Sequence, residues 1–177
     1  MDEREPKAQR IFSPNAIHLV RTAQQINVSL SQMADQKASI LMGATFVVFT
    51  ISIGQVRAGG FALPLIILAL FSFVSALLAV YAVLPATRPP PQEDRNLLFF
   101  GTFTTMTDGE FADDVLVALE RDETIYRMML RDIYQNGLVL QHKKYRFLGY
   151  AYRVFLLGLI VTTIAFIIAY LNPAFHL

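Results

Sequence analysis

The chain of 177 residues contains no cysteine and no tryptophan. Without cysteine there is no disulfide framework, no thiolate zinc site and no thiol nucleophile. The histidines His18, His142 and His176 are scattered singly, so no histidine metal cluster is readable either. Charge is scarce as well: 16% of residues are Asp, Glu, Lys or Arg, where soluble domains carry about a quarter. Fifteen basic residues against fourteen acidic ones give a net charge of +1, which argues against a nucleic-acid-binding surface. There is no glycine-rich phosphate loop, no nucleophile elbow, no His-Glu metal-binding helix and no kinase signature. The adjacent carboxylates Asp113 and Asp114 would point about 100° apart on a helix, so they read as a solvated face and not as a catalytic pair. The sequence points away from an enzyme, a metal or a cofactor.

What is present is apolar. Hydrophobic residues make up 54% of the chain and the mean hydropathy is +0.44. No charged residue falls between Lys37 and Arg57, between Arg57 and Arg88, or after Arg153. A helix needs about 20 apolar residues to cross a bilayer. The gaps therefore predict spans at 40–56, 61–83 and 154–171. The first is diluted by Gly43, Ala44, Thr45, Thr50, Ser52 and Gly54, small residues that allow close helix packing in lipid, within the subunit or between subunits. The mixed charge of the first residues argues against a signal peptide and reads as a flexible tail over 1–12.

Basic residues set the expected orientation. Five precede the first span, one lies in the first loop, nine lie between the second and third spans, and none follows the third. The positive-inside rule then places the N-terminal arm and region 85–153 in the cytoplasm and the tail 172–177 on the other side.

Ser13-Pro14 reads as a helix N-cap with proline in the first turn. Leu19, Ala23, Ile26, Leu30 and Met33 follow at spacings of three and four, predicting an amphipathic helix over 13–39 that continues into the first span. Pro85 and the prolines at 89–91 predict a stiff linker. The uncharged aromatic run Asn96-Leu97-Leu98-Phe99-Phe100-Gly101-Thr102-Phe103 is too short to span and too apolar to stay in water. A short acidic helix follows within 85–121. A stalk helix over 122–153, patterned by Ile125, Met129, Ile133, Leu140 and Phe147, then leads into the third span. Gly137 and Gly149 are places where it could kink. The fold class expected is an all-α integral membrane protein with three transmembrane helices, cytoplasmic helical extensions and a helical head, 13–171 forming one membrane domain.

The basic cluster Lys143, Lys144, Arg146 and Arg153 has two readings. One is anchoring at the headgroups; the other is charge-assisted bonding to an anionic ligand. Asp35 and Lys37 at the mouth of the first span likewise read as an interface anchor or as ligand contacts.

Three strings taken together resemble the Pycsar effector transmembrane family of bacterial antiphage defence. They are Asp35-Gln36-Lys37-Ala38-Ser39-Ile40-Leu41, Asn96-Leu97-Leu98-Phe99-Phe100-Gly101, and the stretch from Asp132-Ile133-Tyr134 through Lys144-Tyr145-Arg146 to Ala151-Tyr152-Arg153-Val154-Phe155. The resemblance covers about 32–171. It implies a partner cyclase that makes a cyclic pyrimidine nucleotide, cUMP or cCMP, and a membrane effector that responds by impairing the inner membrane in abortive infection. No separate cyclic-nucleotide-binding β-barrel is readable, so a ligand would bind the helical head or a partner. Such a ligand needs a cation for its phosphate, an aromatic ring for its base and an amide for the base edge. Asn96, Phe99, Phe100, Lys144, Arg146 and Tyr150 offer these, if the aromatic loop docks on the stalk, with Asp35, Lys37 and Arg153 as further contacts. Phe99 and Phe100 could equally plug the bundle. One subunit with three spans has no room for a wide pore, so a homo-oligomer in the lipid bilayer is expected. The alternative is a constitutive channel subunit or membrane scaffold without a nucleotide ligand.

Overall fold

A computed structural model describes residues 10–59, 62–85 and 95–171. All of its regular elements are helical: α1 (Ala16–Arg57), α2 (Ala62–Val83), α3 (Phe100–Phe103), α4 (Asp108–Leu119), α5 (Asp122–Val139), a π-helical turn (Leu140–Tyr145) and α6 (Arg146–Leu171). Three helices are long and apolar enough to cross a membrane. This is the all-α membrane class expected from the charge gaps. The prolines at 89–91 and the terminal segments 1–9 and 172–177 lie outside the described residues.

The chain divides into two compact units, one comprising residues up to 29 and 86–137, the other 30–85 and 138–177. The polar unit, as described here, holds the first part of α1, α3, α4 and nearly all of α5. The membrane unit holds the rest of α1, α2, the π-helical turn and α6.

In the membrane unit, the core is built from small residues. Ala34, Ala38, Leu41, Ala79, Ala82, Leu140, Leu148 and Ala151 form one buried cluster. Helices in lipid gain little by hiding leucine from equally apolar tails, so alanines that let backbones approach are the useful core residues. Large apolar residues face outward instead, among them Phe46 and Ile51 on α1, Leu70 and Leu77 on α2, and Leu156, Ile160 and Ile164 on α6. α2 and α6 approach closely at Gly158, where a Cβ would land on the Phe71 side chain. Ser75 Oγ donates to the Ala151 carbonyl at 2.8 Å and ties the same two helices.

Of the small residues in the first span, Thr45 and Ser52 are buried, whereas Gly43, Ala44, Thr50 and Gly54 are exposed. The packing stripe is Ala34, Ala38, Leu41, Thr45 and Ser52, because a helix turns only one face to its neighbours. Thr45 and Ser52 satisfy their hydroxyls within the helix, donating to the carbonyls of Leu41 and Val48 at 2.8 Å each. Neither Gly137 nor Gly149 breaks the chain's last long helical run. The departure from α geometry lies between them, in the π-helical turn.

In the polar unit, α1 is rotated from the face that its apolar residues suggest. Leu19 and Ile26, expected to face the core, are 73% and 54% exposed, while Val20 is buried and Gln24 half-buried. The inward face also carries Gln24, which makes a hydrogen bond to Asp132 inside this unit. At the start of α1, the Ser13 hydroxyl accepts from the Asn15 amide at 3.3 Å, and the Ser13 carbonyl accepts from the Ala16 amide at 2.9 Å. The aromatic run closes on itself, with Phe99 and Phe100 rings 4.9 Å apart and Phe103 5.3 Å from Phe111. The acidic helix α4 opens with a capping box in which the Thr107 side chain and the Glu110 carboxylate each satisfy the other's backbone amide.

Candidate functional site

Within the polar unit, Asp132 is buried to 6% exposure. Its Oδ2 accepts from Gln24 Nε2 at 2.8 Å and its Oδ1 from Asn96 Nδ2 at 3.1 Å. The Asn96 side-chain oxygen in turn accepts from the Leu98 amide at 3.0 Å, folding the start of the aromatic run into a turn. The node explains why the run begins with asparagine: both ends of one amide are needed, and no apolar residue supplies them. A pocket of about 200 Å³ opens beside it, lined by Arg95, Asn96, Leu97, Ala118, Thr124, Arg127, Met128 and Arg131. Arg127 and Arg131 stand four residues apart on α5, on one helix face. Arg127 is paired with Glu123 at 2.6 Å, Arg95 approaches Asp114 at 3.9 Å, and Arg131 donates to the Arg95 carbonyl at 2.8 Å.

Within the membrane unit, the π-helical turn places two consecutive lysines on two different helices. Lys143 Nζ donates to the Leu84 carbonyl, just past the end of α2, at 2.6 Å and lies 5.7 Å from the Tyr81 ring. Lys144 Nζ reaches α1, pairing with Asp35 Oδ2 at 2.6 Å and donating to Ser31 Oγ at 2.7 Å. Tyr145 and Tyr152 add longer bonds to α1, to the carbonyls of Leu30 and Lys37, at 3.4 Å each. The three spans are thus clasped at one level by a single turn of π geometry, a form often found at functional positions in helices. The other carboxylate oxygen of Asp35 is buried without a partner among the described residues.

The nine residues singled out from sequence fall into both units. Asn96, Phe99 and Phe100 belong to the polar unit. Asn96 has its amide engaged by Asp132 and Leu98, Phe99 packs against Gly101, where a Cβ would enter its ring, and Phe100 is half exposed. Asp35, Lys37, Lys144, Arg146, Tyr150 and Arg153 belong to the membrane unit. There Asp35 and Lys144 are brought together, Arg146 stacks over Tyr150 with Nε 3.3 Å from its hydroxyl, and Lys37 and Arg153 are exposed. Sequence reasoning missed Gln24, Asp132 and the arginines Arg95, Arg127 and Arg131. Two signals were there: Asp132 lies seven residues after Ile125, on the apolar face of its helix, and Arg127 and Arg131 have the spacing of helix-face neighbours.

Outside the membrane unit, the Glu110 carboxyl is displaced from its ordinary range. The Thr107 amide, and after it the Thr107 hydroxyl, hold Glu110 below the usual glutamate value. Among the described residues no cluster of His, Asp and Glu could hold a metal ion.

Three apolar helices joined to a polar helical unit with a cationic pocket define a multi-span helical membrane protein. The chain belongs to the family described as the Pycsar effector protein domain, whose model matches residues 18–171. Membership makes it an antiphage defence effector with a transmembrane domain. No curated protein and no solved structure matches the chain.

Proposed function

We propose that this chain is a non-enzymatic effector of the bacterial inner membrane, triggered by cUMP or cCMP from a partner pyrimidine nucleotide cyclase. When triggered it impairs membrane integrity and halts the infected cell. The observation that best supports this reading is the clasp on the π-helical turn. Lys143 and Lys144 hold α2 and α1 to the last span through one ion pair and two short hydrogen bonds. A shift of that turn would release both helices together, which is what a harmless resting state with a membrane-active alternative requires.

The distribution of basic residues supports an orientation with the N-terminus and 85–153 in the cytoplasm, where the nucleotide would be made. The large apolar side chains on the outer faces of α1, α2 and α6 suit contacts with lipid or with further copies, and a homo-oligomer supplies the perimeter that one three-span subunit lacks. Moving the equilibrium from about 1:99 to 99:1 takes about 5.5 kcal/mol of differential affinity. One well-held nucleotide can provide it.

The test is expression of the chain alone and together with a uridylate or cytidylate cyclase, with membrane potential followed by a dye. Depolarisation only with an active cyclase is the expected result. Depolarisation that ignores the cyclase would instead make the chain a constitutive channel subunit.

A further inference from the structure

We infer that the arginine-lined pocket of the polar unit binds the phosphate of a mononucleotide-sized ligand. Three guanidinium-bearing residues, Arg95, Arg127 and Arg131, converge on one pocket of about 200 Å³. Planar guanidinium forks match phosphate oxygens two at a time, and arginine keeps its charge at any physiological pH. Like charges at Arg127 and Arg131, one helical turn apart, repel each other by a few tenths of a kcal/mol, and an anion between them reverses the sign of that term.

The rest of the lining suits a small organic phosphate better than a bare ion. Leu97 and Met128 give the pocket apolar wall, on which a ribose or a flat base can rest. Asn96 lines it too, fixed by Asp132 and Leu98, so the pocket edge is set before a ligand arrives. The volume is below the ~300 Å³ at which pockets for drug-sized ligands begin. A mononucleotide is therefore favoured over a cyclic dinucleotide.

The pocket carries its own competitor. The Glu123 carboxylate holds Arg127 through Nε and Nη2, at 2.9 Å and 2.6 Å. A phosphate must displace it or share the fork. Hence Glu123→Gln should tighten binding, an effect that a structural role for this pair does not predict.

The identity of the base rests on the function proposed above; the phosphate site does not. Calorimetric titration of the full chain in detergent with cUMP, cCMP and inorganic phosphate tests both. Wild type should bind a cyclic pyrimidine nucleotide, with phosphate competing. Arg127→Gln and Arg131→Gln should each weaken binding by about tenfold to a hundredfold, the range of one charged hydrogen-bonding partner. Arg131→Lys should recover part of the loss, and unchanged circular dichroism would show that the variants fold. Equal nucleotide binding by wild type and the two Arg→Gln variants would overturn the pocket and leave the gated effector standing. Binding of phosphate alone, dependent on the same arginines, would keep the pocket and overturn the pyrimidine trigger. No binding of any of the three by folded wild type would overturn the pocket outright.

Discussion

Asp132 shows how one buried carboxylate can organise a polar unit. Among the described residues no lysine pairs with it; two amides, from Gln24 and Asn96, hold it at 2.8 Å and 3.1 Å. Removing one partner leaves a buried polar group unsatisfied, at a cost of about 1–3 kcal/mol. Asn96→Ala should therefore lower the stability of the polar unit by that amount, seen as faster amide exchange across α5. The same logic at the residue scale applies to Gly158. A methyl group there would meet Phe71 at its Cβ and Cγ, which no ring rotation can clear, so the helices must shift, and overpacking of this kind costs about 1–3 kcal/mol. Gly158→Ala should lower the melting temperature of the detergent-solubilised chain, and Gly158→Val should lower it further. If Gly158→Ala melts like the wild type, the close approach is not what makes position 158 a glycine.

At the scale of elements, the capping box of α4 makes a pH prediction. Glu110 has a folded pKa below its unfolded value, about 4.3. The carboxylate's contribution to the cap is therefore fully present above about pH 4.3 and is lost as pH falls through the lower folded value. The first turn of α4 should fray in acid, visible as rising exchange of the Thr107 and Phe111 amides, which donate to the Glu110 carboxylate and the Thr107 carbonyl, after correction for intrinsic rate. Glu110→Gln, which can still cap, should remove the pH dependence. Much of this element layer was legible in the sequence. Charge gaps located the apolar helices because an ionised side chain in lipid is too costly to hide, and Ser13-Pro14 marked the start of α1. The buried face of α1 was not legible, because the exposed Leu19 and Ile26 obey the helical period as well as the buried Val20 does. The bond between Gln24 and Asp132, 108 positions away, marks the inward face, and no local pattern announces it. The π-helical turn was equally hidden. Its lysines read as a basic cluster, and nothing in their order says that Lys143 reaches Leu84 while Lys144 reaches Asp35. Of the candidate site, Asp35 and Lys144 were picked out singly but not as a pair, and the arginine pocket was scattered over three places in the chain.

For the whole molecule, the family match over 18–171 takes in parts of both units, the polar one and the membrane one, on one chain. In the proposed scheme the polar unit holds the ligand and the clasp of the membrane unit is what yields. Asp35→Asn and Lys144→Gln should then lower the amount of cyclase needed for depolarisation, and the pair combined should add little to either, since both break one contact. Topology is checked separately: reporters fused within 85–91 and at the C-terminus should lie on opposite sides of the membrane. The most direct measurement places purified protein in liposomes under a potassium gradient with a potential-sensitive dye, and adds cUMP or cCMP. The account predicts a stable potential until nucleotide is added and its collapse afterwards, with Arg131→Gln requiring at least about tenfold more nucleotide. Collapse before any nucleotide, or a potential that survives saturating amounts of both, would contradict it.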